Sequence, residues 1–397
     1  MKIIEVADKK TREAFYQVAR DIYKNDSNWT CPLDIEIEGI FDPAGNKCFK
    51  TGNAMRWILE DGKGAYIGRI AAFYDQLKAN VNNDQPTGGI GFFECSDNQD
   101  AANLLFDTAC KWLKDNKMEA MDGPITFGEN ITNWGLLIEG FMHQGYGMQY
   151  HHPYYKKLFE SYGFQEYFQQ YTYHKDLSEP FPERQEKFAR HVGEKGSFVF
   201  ERFSQKNRNK YLESVTYIFN EVWKDFHEDY VPLEMEDIEK IFDEAKPIID
   251  ENIIHFAFDD GKPVAMVIVL PDVNQVLKKL NGKLTLINKI RFVLNKKKID
   301  RARLLITGVI PSYQRTYIIG ALFMQMIDSL IENKYRELEM SWVGDYNITV
   351  NKIYSTLGIP IVKKHATYRY LFDRNKEFRR FTNETSNKTK KILRKQD

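Results

Sequence analysis

The chain is poor in cysteine. Its four cysteines, Cys31, Cys48, Cys95 and Cys110, all lie in the first half, and none forms a CxxC pair. That spacing excludes a structural zinc site, so no metal is expected and the thiols should be free and buried. Long apolar runs are also missing. None approaches the roughly 18–20 residues that a membrane-spanning helix needs. The first residues, MKIIEVADKKTREAF, turn charged too early for a secretory signal, which makes the cytoplasm the expected location. Net charge is absent too, with 56 basic residues against 56 acidic ones. The apolar fraction of 43% and aromatic fraction of 14% argue for a packed globular protein, not a disordered one. A chain of 397 residues is long enough for two domains with full cores.

The zero net charge conceals an asymmetry. Residues 274–303, NQVLKKLNGKLTLINKIRFVLNKKKIDRAR, carry ten Lys or Arg against one acid, Asp300. Leu277, Leu280, Leu284, Ile287, Ile290, Val293 and Leu294 recur there at helical spacing. A basic amphipathic segment suits an anionic surface, so peripheral contact with the inner membrane through 274–303 is one expectation. A core-packing helix with a solvated basic face is the other. The tail, 374–397, is also basic, and is expected to be a frayed helix or disordered.

The second half repeats the first. LLFDTACKWLKDNKMEAM (104–121) matches ALFMQMIDSLIENKYRELEM (321–340), each an amphipathic helix, an Asn-Lys break and a strand. GENIT (128–132) matches GDYNIT (344–349), and YYKKLFESYGF (154–164) matches NKIYSTLGI (351–359). Upstream, WILEDGKGAYIGRIAAFYD (57–75) matches FAFDDGKPVAMVIVLPDVN (256–274), each reading as a hairpin. A period near 200 residues fits duplication of a whole domain. The expected units are 1–177 and 195–373, with a boundary near 175–195, where DLSEPFPERQEK is polar and carries two prolines. The order strand-strand-strand-helix-strand-helix-strand implies an α+β fold, a mixed central sheet flanked by helices, in each copy. KKHATYRYLF is expected to close the second copy as its last strand.

The segment LLITGVIPSYQRTYIIGALFMQMI (304–327) reads as a strand, a loop and a helix with Gly320 in its first turn. Unpaired amides at such a helix start can hold a phosphate. With the element order and the NKIYSTLGI helix, this segment resembles the GNAT acyltransferase superfamily. The pyrophosphate loop of that family, Arg/Gln-x-x-Gly-x-Gly/Ala, falls with Arg315 at its first position, Ile318 at the first glycine and Gly320 at the second. The resemblance implies an acyl-CoA donor held by Val309, Ile310, Gln314, Arg315, Thr316, Tyr317, Ile318, Ile319, Gly320 and Asn347. It maps the tyrosine that protonates the departing thiolate onto Tyr354. In the first copy the equivalent junction, SDNQDAANLL, has no glycine and carries Asp97 and Asp100. Fixed negative charge repels a phosphate, so this copy is expected to have lost the donor.

Across the whole chain, NDSNWTCPL, IGRIAAFYD, GFFEC, MDGPI, GLLIEGF and PYYKKLFESYGF look like the bacterial two-domain group that includes bacterial ceramide synthases. That resemblance implies N-acylation of a small-molecule or lipid amine, such as a sphingoid-like long-chain amine. The chemistry needs a base for the amine proton and an acid for the leaving thiolate. In RELEMSW, Glu337 and Glu339 share one strand face, and Glu339 is the better-placed base. His365 is a proton-relay candidate, and His143, His151 and His152 flank an aromatic, glycine-rich loop suited to line an acyl or amine channel. Each also has a structural reading: an ion-paired carboxylate, a core aromatic, a satisfied strand histidine, ordinary loop packing. Two rival functions stay open, an aminoacyl-tRNA-dependent transferase of the same double fold and a non-catalytic GNAT-fold binding protein. No nucleic acid is expected under the first reading.

Overall fold

The computed structural model describes residues 1–81, 83–128, 132–224 and 232–382. Residues 129–131 of the GENIT turn and residues 383–397 of the basic tail lie outside these.

The first half runs β1 (Lys2–Glu5), α1 (Lys9–Ile22), α2 (Asp34–Ile40), β2 (Gly52–Glu60), β3 (Tyr66–Asp75), β4 (Thr87–Cys95), α3 (Gln99–Asp115), β5 (Ala120–Gly123), β6 (Leu136–Glu139), α4 (Tyr154–Tyr162) and β7 (Gln165–Asp176). Local chemistry marks the ends. Asp8 caps α1 by accepting from the Thr11 amide at 2.7 Å, Asn98 caps α3 through the Ala101 amide, and α4 stops at Gly163, which is left-handed. In the β2–β3 turn, Asp61 accepts from the amides of Lys63 and Ala65.

The second half repeats this order. After α5 (Glu183–Lys195) come β8 (Val199–Arg202), α6 (Arg208–Trp223), α7 (Met235–Ala245), β9 (His255–Asp259) and β10 (Lys262–Pro271). Then follow α8 (Asn274–Leu277), α9 (Leu286–Asn295), β11 (Arg301–Val309), α10 (Ile318–Glu332), β12 (Glu337–Gly344), α11 (Ile348–Thr356) and β13 (Ile361–Leu371). The β9–β10 hairpin turns on Asp260 and Gly261, both at positive φ, as a tight two-residue turn requires. The basic segment is an insertion, α8 and α9, between two strands that are consecutive in the first half.

Among the described residues the strands form one continuous sheet in the order β1-β2-β3-β4-β5-β13-β7-β12-β11-β10-β9-β8, with β6 beside β13. The halves therefore exchange their last strands. β13 lies between β5 and β7, while β7 pairs with β12. This corrects the expectation that KKHATYRYLF closes the second copy: it completes the sheet of the first. Both halves keep the same parallel centre. β4 pairs with β5 only over Thr87–Gly89, and β11 with β12 only over Arg301–Leu304. Beyond these short ladders β4 and β11 continue without that neighbour, so the sheet splays at both places. The polar stretch read as a boundary holds α5, which packs lengthwise on α10. A Cβ at Gly193 would sit 3.4 Å from the Ala321 Cβ. Cys31, Cys95 and Cys110 are buried free thiols and Cys48 is half-buried.

Candidate functional site at the junction of the two halves

Strand pairing decides which side chains share a face. Arg303 stands opposite Glu339, Glu339 opposite His174, Lys363 opposite Thr172 and His365 opposite Gln170. Opposed residues in a ladder point the same way. Tyr173, which pairs with Met340, points the other way into the apolar core with Leu338 and Leu304. One face of the junction is thus apolar and the other is charged.

On the charged face, Lys363 Nζ lies 2.6 Å from Glu339 Oε1 and His143 Nε2 lies 3.2 Å from the same oxygen. Glu339 is 4% exposed and Lys363 2%. Burial alone would raise the Glu339 pKa. The Lys363 ammonium, helped by His143, outweighs it and holds the carboxyl well below the usual carboxylate range. Arg303 Nε donates to Ser341 Oγ at 2.9 Å, and its Nη1 donates to the Tyr146 carbonyl. Burial pushes the Arg303 pKa down to about 10. Arg301 pairs with Asp272 at 2.8 Å. Burial raises the Asp272 pKa, with Arg301 opposing it.

The roof over this face is the first half's glycine-rich loop. A Cβ at Gly145 would come within 2.8 Å of Glu339 Oε2, and one at Gly147, where φ is +76, within 2.8 Å of Arg303 Nη1. The glycines let the loop backbone lie directly on the charges. His143 belongs to this loop. His151 is buried and donates no charge there: its Nδ1 accepts from the Leu137 amide at 3.1 Å. His152 sits 3.6 Å from Asp26, in a separate cluster with Tyr150.

His365 is wholly buried, edge-on to Trp134 at 4.6 Å between ring centroids. Its Nε2 faces the Gln149 carbonyl at 3.0 Å, so the proton is assigned to Nε2 and Nδ1 is left as an acceptor. Burial drives its pKa down to about 3, which keeps it neutral near pH 7. Such an imidazole, protonated at Nε2 alone, accepts a hydrogen bond at Nδ1 but does not take up a second proton near pH 7. Among the described residues, several buried polar atoms here have no hydrogen-bond partner: His365 Nδ1, Gln170 Oε1, Thr172 Oγ1, Trp134 Nε1 and Glu339 Oε2. Buried polar atoms are paired in most folded proteins, so this cluster of exceptions makes the charged face a candidate site for a polar ligand or for water.

Tyr354 lies elsewhere. It is buried on α11 with its ring 4.7 Å from Tyr173, on the apolar side of the sheet opposite Glu339. Burial raises its pKa well above the ordinary value, so it keeps its proton at neutral pH. The sheet itself separates the two faces, and the splay between β11 and β12 is the break in it that joins them.

The residues read as donor-binding cluster at the end of β11 and the start of α10. Val309 ends β11, Ile310 is buried, and Pro311–Thr316 form a 3-10 helix carrying exposed Gln314 and Arg315. Tyr317 takes a left-handed conformation and does not cap α10 with its side chain, and the Ile318 amide has a long 3.4 Å contact to Thr316 Oγ1. The Thr316 hydroxyl donates to the Tyr313 carbonyl. The Gly320 amide already donates to the Tyr317 carbonyl at 3.0 Å. Gly320 also faces α5, because a Cβ there would lie 3.5 Å from that of Ala189. That is an ordinary packing distance, so α5 lines one side of Gly320. Ile319 follows in the first turn, and Asn347 caps α11 through the Val350 amide at 3.2 Å.

The first half's counterparts follow from the ladders. Gly89 opposes Asp122 as Arg303 opposes Glu339. Asp122 is held by two bonds from Arg369, 2.6 and 2.7 Å long, and Arg369 stacks on Tyr167 at 3.7 Å. That acid has no free oxygen. The α3 start is likewise occupied by its own Asn98.

No family model matches the chain. It is 24% identical over 375 residues to the bacterial ceramide synthase of Caulobacter vibrioides, across 93% of this chain and 97% of that one. It is 27% identical over 376 residues to protein YghO of Escherichia coli K12, across 91% and 93%. Among solved structures it matches a tandem GNAT protein from the clavulanic acid biosynthesis pathway with a TM-score of 0.55 and 9% identity, covering 94% of this chain and 99% of that one. A GCN5-related N-acetyltransferase from Sphaerobacter thermophilus gives 0.53 at 11% identity, covering 96% and 98%.

The chain has the tandem GNAT fold.

A tandem GNAT fold with exchanged last strands explains why the site drew on residues that sequence spacing could not connect. Lys363 is 24 positions from Glu339, but it reaches Glu339 from a strand built into the other half's sheet. His143, Arg303, Asp272, Gln170 and Trp134 gave no motif. Their only sequence signal was the glycine-aromatic loop GYGMQY. Among the described residues no group of His, Cys, Asp and Glu could hold a metal ion.

Proposed function

We propose that this protein is an acyl-CoA-dependent N-acyltransferase with one working site, at the second half's splay, acting on a primary amine of the long-chain, lipid-like class. The observation that carries the reading is the asymmetry between the halves. In the second half the N-cap residue of α10 makes no side-chain bond, the Ile318 amide has only a long 3.4 Å contact to Thr316 Oγ1, and among the described residues Glu339 keeps one oxygen unpartnered. In the first half both positions are filled from within.

The α10 N-terminus fits a pyrophosphate, because it places a weakly held Ile318 amide and the Ile319 amide beside exposed Arg315. A bound acyl thioester supplies the activated carbonyl carbon. Glu339 Oε2, together with His365 Nδ1, accepts hydrogen bonds from an amine and aims its lone pair through the splay. The amine's proton passes by way of Glu339, whose strongly stabilised carboxylate accepts the hydrogen bond without keeping the proton, to His143, which is about a third exposed and opens the route to solvent. As the new C–N bond forms and the C–S bond breaks, Tyr354 gives its proton to the departing sulfur from the opposite face. The long-chain acceptor is supported by full-length similarity to a ceramide synthase.

A thermal-shift panel of acetyl-CoA, palmitoyl-CoA, free CoA and charged tRNA tests the donor. A ligand at about 100 times its dissociation constant stabilises by roughly 2.7 kcal/mol. Stabilisation by CoA compounds and not by tRNA is the expected result. A response to tRNA alone, or to none of them, overturns it.

A further inference from the structure

The helix α9 is amphipathic in the wrong direction for a soluble protein. Placed at about 100° per residue, Leu286, Ile287, Ile290, Val293 and Leu294 fill a continuous arc of about 120°. All five face outward, between 53% and 76% exposed. The inward side holds the partner that anchors the helix, Phe292, which packs against the core. Asn288 also ties α9 down, donating to the carbonyls of Leu280 and Lys283. Lys289 and Arg291 border the apolar arc on either side, and Lys283 and Lys296–Lys298 extend the positive charge beyond both ends. Among residues 283–298 there is no acid.

We infer that α9 is a docking surface for an anionic lipid bilayer, lying in the interface with its apolar arc among the acyl chains. Lysines and arginines flanking an outward apolar arc match the headgroup layer, where their ammonium and guanidinium groups meet lipid phosphate. A second copy of this chain is a poorer occupant, because two α9 helices face to face would oppose Lys289 and Arg291 of one copy to those of the other. Among the described residues no helix is long and apolar enough to cross a membrane, so the attachment would be peripheral. The insertion is fixed at its base beside the site's roof. Asn274 donates to the Gln144 carbonyl at 3.1 Å, and Arg20 to the Asn281 carbonyl at 3.3 Å. Docking would therefore hold the glycine-rich loop near the bilayer, from which a lipid amine would arrive.

The test is flotation of the full chain with phosphatidylglycerol-containing vesicles and with pure phosphatidylcholine vesicles, without donor or acceptor. Its outcome is thus independent of the catalytic proposal. Strong binding to the anionic vesicles and weak binding to the neutral ones is expected. Lys296→Gln, Lys297→Gln and Lys298→Gln together should weaken it roughly a hundredfold, at about fivefold per lysine. Leu286→Gln with Ile290→Gln should abolish it and leave thermal stability unchanged, since both side chains are exposed. Absence of binding to anionic vesicles at low salt overturns the inference. So does a concentration-dependent dimer that the Leu286/Ile290 variant dissolves while vesicles are ignored, or binding to tRNA that is tighter than to vesicles and indifferent to the apolar change.

Discussion

Lys363 and Glu339 form an ion pair at 2.6 Å with both side chains almost wholly buried, and they come from strands on either side of β7, β13 completing the first half's part of the continuous sheet and β12 lying in the second half's part. At the matching position of the first half, Asp122 is gripped by Arg369 through both oxygens. One duplicated carboxylate is thus closed and the other is half open.

Lys363→Met should leave a buried carboxylate without its main partner. We expect a loss of about 3–5 kcal/mol in unfolding free energy. Adding Glu339→Gln in the same chain should recover part of it, since the remaining charge is then gone. Urea denaturation of the two single variants and the double variant measures the coupling directly. Additive losses would show that the two groups do not act as a pair.

Tyr354→Phe should lower turnover by about 10²–10⁴ and leave donor affinity nearly unchanged, as removal of a general acid does. Steady-state rates and donor titration separate the two quantities. A fall in melting temperature at undiminished turnover would make Tyr354 a packing residue only.

Arg315→Glu should weaken CoA binding by about tenfold to a hundredfold, the scale of a hydrogen bond to a charged group. Arg315 is exposed, so the fold should tolerate the change. Gly320→Asp is a less clean probe, because Gly320 packs against Ala189 and the variant would disturb α5 as well. Calorimetric titration with free CoA is the measurement, and Asp97→Ala in the first half should leave the affinity unchanged.

Stability should fall as the pH drops from about 6.5 towards 4.5. His365 and His255 are held neutral by burial, with pKa values lowered to about 3 and about 4 from 6.5. In this range the unfolded chain binds protons at these positions and the folded chain does not. Their contribution is complete above pH 6.5 and is lost as the pH falls through the folded values. Urea midpoints between pH 7 and 4.5 report it, and His255→Gln should flatten the profile. A profile level down to pH 4.5 would contradict the buried neutral state.

Residues 1–177 and 195–373, produced separately, should each lack a strand that the other carries. Neither should behave as a stable monomer, whereas co-expressed halves should copurify as a complex. Two well-folded independent monomers would disagree with the exchanged strands.

Regular elements were readable where local signals were complete. The boundaries of α3, α4 and α10 follow from apolar periodicity and end signals such as Asn98 and Gly163. The alternation in RELEMSW correctly set Glu339 and Met340 on opposite faces. Strand exchange left no such trace. Residues 165–176 and 361–371 are both good strands, and both halves offer the same kind of edge, so nothing local says which edge each one joins. The pairing of His143 with Glu339 was hidden by the same distance along the chain. The contact of Gly320 with α5 was hidden for a different reason: its neighbour Ala189 sits on a helix inside a stretch that composition marked as a linker. In α9 the spacing revealed the apolar stripe, but only the packing of Phe292 and Asn288 tells which way it points.

The exchanged strand also sets a timetable for synthesis. Asp122 must wait for Arg369, which is 247 residues further along the chain. At about 5–20 residues per second this is a delay of roughly 12–50 s. During that interval the first half has emerged from the ribosome with the edge of β5 bare. An unpaired edge is the feature most prone to wrong partnerships, so the nascent first half is the stage at which the cell's chaperones matter most to this protein.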